Sequence, residues 1–135
     1  MEAAAATSLT DEWRHPLAST LHRQRRRLMV SYIVHVLWFG AMVLTAVFHA
    51  SRTVATTSIW LALITVPPVI VYAARVHRTC RAIDPLARTI GLMPMILMTV
   101  LLTPFESGLI VPAKNLLVSG KLLARMQEAS AVGVP

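Results

Sequence analysis

Few side chains in this 135-residue chain are placed to do chemistry, and the most suggestive is a lone carboxylate. Glu106 is the only acidic residue inside the long apolar stretches, and Lys114 follows two helical turns later. A carboxylate in a lipid environment is a candidate proton or cation site, because its protonation can alternate with binding of a transported solute. A structural use competes with that reading. Thr103-Pro104-Phe105-Glu106 has the pattern of a capping box, with threonine at the cap, proline at the first helical position and glutamate three residues after the cap.

Histidine and cysteine offer less. His35 and His49 share one apolar run, about four turns apart. Haem held between helices needs imidazoles facing each other from different helices, and the other apolar runs contain none, so no cofactor is expected. His35 is expected to make a polar contact to a neighbouring helix instead. The single Cys80 excludes an internal disulfide and a cysteine-based metal site. No Ser/His/Asp order, phosphate-cradling glycine loop or HExxH pattern is present, and the expected class is not an enzyme.

The arginines form two groups: Arg23, Arg25, Arg26 and Arg27, then Arg75, Arg78 and Arg81. A net charge of +7 could signal nucleic acid, but these groups abut apolar runs rather than covering one face of a soluble fold. They are read as contacts to anionic lipid headgroups and as topology signals, with no nucleic-acid partner.

Those residues must be positioned by long apolar elements. Hydrophobic residues make up 56% of the chain, above what a soluble domain carries. The runs at 28–49 and 53–74 are free of charged side chains and match the roughly 20 residues needed to cross a bilayer. The expected fold is an all-α integral membrane protein with three transmembrane helices and a C-terminal amphipathic helix. A small, polar N-terminus (1–15) is expected to be disordered and to lead into a basic juxtamembrane helix (16–27). Spans follow at 28–49 and 53–74, then a basic cytoplasmic loop at 75–84. Asp84-Pro85 reads as a helix start for a third span at 85–103. A kinked amphipathic helix at 104–128, lying in the interface, and a frayed tail at 129–135 complete the chain.

Pro67 and Pro68 are expected to kink the second span, with Thr65 placed to satisfy a freed carbonyl, and Pro94 to bend the third. Gly40 beside Ala41 suits close helix approach, and with His35, Pro67 and Pro68 it makes up the expected packing set. In the 104–128 helix, Lys114, Lys121, Arg125 and Glu128 share one sector, with Leu109, Ala113, Leu116, Leu117, Gly120, Leu123 and Ala124 opposite.

The positive-inside rule places the N-terminus in the cytoplasm, with Arg14 and Arg88 joining the two arginine groups there. Three crossings then leave the C-terminus outside. A fourth crossing would return it, at a cost of roughly 2.5–3.5 kcal/mol for burying Lys114. The first apolar run is expected to serve as an uncleaved signal anchor of a multi-pass protein in a bacterial cytoplasmic (inner) membrane. The function this pattern favours is an accessory or assembly subunit of a larger membrane complex, partnered by lipid and by other membrane subunits or copies of itself. The alternatives are a small oligomeric proton- or cation-coupled transporter or channel using Glu106, and a holin-like pore former.

Overall fold

The computed structural model describes the backbone of residues 2–49, 51–101 and 104–132, and side chains over 17–49, 51–101 and 108–131. These residues form four α-helices and, among the described residues, no strand: α1 (Glu2–Val47), α2 (Arg52–Ile83), α3 (Leu92–Leu101) and α4 (Pro104–Val132). At 1.5 Å per residue they are about 69, 48, 15 and 43 Å long. Helix therefore begins at Glu2, inside the segment expected to be disordered, and the basic 16–27 segment is continuous with the apolar run after it.

α1 and α2 form an antiparallel hairpin joined by residues 48–51. The chain leaves α1 through His49, whose φ of 48° puts it in the left-handed region that ends many helices. Along α1 the fully buried side chains are Leu21, Leu28 and His35, one every seven residues. Along α2 the buried set is Ser58, Ala62, Val66, Val69, Ala73, Val76 and Cys80, in steps of three and four. A repeat near 3.5 residues keeps a straight seam between helices crossing at a shallow angle. The α2 side of that seam is built from small residues, which let the backbones approach closely.

α2 runs unbroken through Pro67 and Pro68, both exposed and turned away from the seam. It also continues through the stretch expected to be a loop, as far as Ile83. Thr79 explains part of that extension. Its hydroxyl donates to the Gln24 side chain at 2.7 Å, so the basic ends of the two helices are bonded to each other.

The third span expected over 85–103 is replaced by a shorter arrangement. Asp84 does accept from the Leu86 amide at 2.9 Å, as a cap would, but a turn and an irregular segment over 84–91 follow instead of a helix. Helix resumes only at Leu92, and Pro94 falls in its first turn, where a missing amide hydrogen costs no intrahelical bond. The ten residues of α3 reach about half of a 30 Å hydrocarbon layer. α4 begins at Pro104, as the capping pattern predicted; Thr103 and the Glu106 side chain lie outside the described residues.

The close contacts fix the course of the second half. Gly91 lies against His77, Gly108 against His35 and Gly120 against Arg25. The chain thus rises from the level of His77 through α3, turns, and descends in α4 past His35 to Arg25. α4 is antiparallel to α1 and parallel to α2. Its far half lies beside the basic ends of both, not at the opposite end of the hairpin as three crossings would require.

Candidate functional site

Two polar constellations stand out, one buried at mid-height and one open at the basic end. The buried one centres on His35, with no exposed surface at all. Its Nδ1 lies 2.8 Å from the Thr65 hydroxyl. That hydroxyl has a single proton, and it is directed to the Ala62 carbonyl at 2.7 Å. His35 Nδ1 is then the donor, and in the neutral ring Nε2 is the acceptor. Thr65 therefore back-bonds within its own turn and holds the imidazole, rather than serving the carbonyls that Pro67 and Pro68 leave.

The other face of the imidazole meets α4. A Cβ on Gly108 would stand 2.7 Å from His35 Nε2, so glycine is what lets the two backbones close on the ring. His35 is thus buried between Thr65 of α2 and Gly108 of α4. His49 is exposed at the end of α1 and shares no site with it. Gly40 has nothing within 4 Å of its would-be Cβ; the glycines that permit close approach are Gly91, Gly108 and Gly120.

Two turns along α4 from Gly108, Asn115 is also fully buried. Its amide nitrogen donates to the Ala73 carbonyl at 3.2 Å and the Ile90 carbonyl at 3.1 Å, while its oxygen accepts from the Ile90 amide at 2.8 Å. One side chain thereby satisfies both backbone groups of Ile90, and this is why Ile90 can be buried in a segment that is not helical. His77 adds a second tie, with Nδ1 2.8 Å from the Thr89 hydroxyl. Burial, reinforced by the Arg81 charge, holds the His77 pKa below its ordinary value.

The buried face of α4 is Gly108, Val111, Pro112, Asn115 and Ser119. Ala113 and Leu117, expected on its apolar side, are exposed, as is Lys114. Asn115 and Gly108 were not singled out from the sequence. The available signal was an asparagine three residues after a proline in an otherwise apolar stretch.

At the basic end the seven arginines separate into different roles. Arg23, Arg26 and Arg27 line an open recess of about 400 Å³ together with Val30, Ser31 and Tyr72 of the facing helix. The Arg75 guanidinium carbon stands 5.7 Å from the centre of the Tyr72 ring, which holds a fourth cation at the rim. Arg25 points elsewhere: it is half-buried, its Nε reaches the Leu116 carbonyl at 3.5 Å, and it packs under Gly120. Arg81 donates to the Pro85 carbonyl, bracing the turn after α2, and Arg78 is exposed.

Cys80 is buried in the α2 seam, and burial, with a smaller push from Asp84, raises its thiol to about 11. Among the described residues, no three His, Cys, Asp or Glu side chains cluster as metal ligands. No family model, curated protein or solved structure matches this chain.

Proposed function

We propose that the chain is a small multi-pass protein of a bacterial cytoplasmic membrane that acts by association, as an accessory or assembly subunit of a larger membrane complex. The observation that carries the membrane reading is the exposure of its apolar surface. Only 6% of the most apolar stretch of α1 and 22% of that of α2 are buried within the fold. A core helix of a water-soluble protein would be mostly buried, and side chains such as Leu37, Trp60 and Ile64 would not be 62–67% exposed.

In this reading α1 and α2 cross the bilayer, while α3 and α4 enter from the cytoplasmic side and return to it. Arg23, Arg25, Arg26, Arg27, Arg75, Arg78, Arg81, Arg88, Lys121 and Arg125 then share the cytoplasmic face, with Arg52 at the opposite end. That distribution obeys the positive-inside rule more fully than three crossings would. Association is supported by the height of the bundle. Beyond the first turn of α4, which starts at Pro104, no third helix among the described residues flanks α1 and α2, and the space beside Gly40 is open among them.

Alkaline carbonate washing of membranes and reporter fusions after Arg52, Arg81 and Pro135 test the placement. The expected result is retention in the membrane, with the first reporter outside and the other two inside. Pull-down from digitonin with native gels tests the association, and a lone monomer without co-purifying subunits refutes it.

A further inference from the structure

The recess between the basic ends of α1 and α2 has the composition and order of a lipid headgroup site. Arg23, Arg26 and Arg27 are spaced three and four residues apart, so they share one face of α1. Ser31 and Val30 line the recess one turn further along, and Tyr72 closes it from α2. Proceeding from the basic end toward the apolar run, a ligand would meet guanidinium groups and then, at about one level, the Ser31 hydroxyl beside apolar Val30 and Tyr72.

Neither described carboxylate, Asp84 or Glu128, lines the recess, so among the described residues three guanidiniums line it with no carboxylate beside them. Guanidinium groups bind phosphate oxygens in pairs of parallel hydrogen bonds, which suits them to an anion bridging adjacent turns. The recess also lies where Leu28 and Ala74 end the apolar runs, the depth at which phosphates sit if α1 and α2 cross a bilayer.

We infer that this recess binds one anionic phospholipid, with its phosphate on Arg23, Arg26 and Arg27 and its glycerol and first acyl carbons against Ser31, Val30 and Tyr72. This deepens the membrane reading above and rests on it. Arg25 and Arg81 belong to other contacts and Arg78 does not line the recess, so the binding is local and does not follow total charge.

Native mass spectrometry of the full chain in detergent, titrated with phosphatidylglycerol or phosphatidylcholine, tests the site. The expected result is one phosphatidylglycerol retained per chain, at least tenfold more tightly than phosphatidylcholine. Arg23→Gln/Arg27→Gln should weaken it tenfold or more, and Arg78→Gln/Arg81→Gln, which removes equal charge, less than twofold. Ser31→Leu keeps every charge, fills the recess, and should weaken retention as much as the first pair. Equal loss in both double variants, undiminished retention by Ser31→Leu, or displacement of the lipid by millimolar inorganic phosphate overturns the inference. Any of these can occur in a chain that resists carbonate, so failure of the site is distinct from failure of the membrane placement.

Discussion

Replacing Gly108 with alanine probes the contact on which the docking of α4 depends. The added Cβ would stand 2.7 Å from His35 Nε2, 3.2 Å from Cδ2 and 3.3 Å from Cε1. The first distance is well inside van der Waals contact, and the ring has little freedom to retreat because Thr65 holds its Nδ1 at 2.8 Å. Relief requires giving up that hydrogen bond or moving α4 outward, and overpacking of this kind costs about 1–3 kcal/mol. The cost arises from the ring, so it must vanish with the ring. In a His35→Ala background, itself destabilised by the cavity, Gly108→Ala should be neutral or should recover part of the loss. Reversible unfolding in mixed micelles, followed by helical circular dichroism, gives the four stabilities of the cycle. An equal penalty in both backgrounds would show that Gly108 is required for backbone reasons, and the seat for His35 would be rejected.

Three further outcomes follow from the same geometry. Asn115→Leu preserves size but strands the Ile90 amide and carbonyl, at about 1–3 kcal/mol for each buried group; amide exchange at Ile90 should accelerate strongly while exchange in the α1–α2 seam changes little. For His77 the folded pKa lies below the unfolded value of 6.5, so its contribution is present above that value and lost as pH falls through the lower folded one. Protonation beside Arg78 and Arg81 should loosen residues 84–91, so their amide protection factors, with the intrinsic pH dependence of exchange divided out, should fall on acidification from about pH 7.5 to 5.5, and His77→Gln should flatten the dependence. With its thiol raised to about 11, Cys80 should react with iodoacetamide at pH 8 on the order of 100-fold more slowly than in the SDS-unfolded chain. Comparable rates would place Cys80 outside the seam.

The two long apolar helices are legible in the sequence because each holds a charge-free run of bilayer length, a signal that needs no tertiary information. The extension of α2 to Ile83 is not legible. Arg75, Arg78 and Arg81 resemble a solvated loop until Gln24 and Thr79 are seen to bond across the hairpin. The Asp84-Pro85 start was also misleading for a tertiary reason. Asn115, twenty-five residues from Ile90, offers that residue both backbone partners and removes the advantage of helix there. The face of α4 was legible only in part: Leu116 and Leu123 pack against the core as expected, but Ala113 and Leu117 were placed inward with them. In this fold Leu117 and Ile110 point outward and Gly108, Asn115 and Ser119 point inward, as close packing of backbones requires. The basic clusters were located from spacing alone, but only the geometry separates Arg23, Arg26 and Arg27 from Arg25, which supports α4.

The shortness of the connection between α1 and α2 bears on biogenesis. In the proposed arrangement residues 48–51 and the adjoining helix ends are what must emerge on the far side between α1 and α2. That passenger carries Arg52 as its sole fixed charge, with His49 beside it. Moving one guanidinium through hydrocarbon is a modest barrier on insertion scales, about 2.5–3.5 kcal/mol at mid-depth. The burial of two charge-free runs, 28–49 and 53–74, opposes it, so insertion of this hairpin should proceed without a motor that threads polar domains.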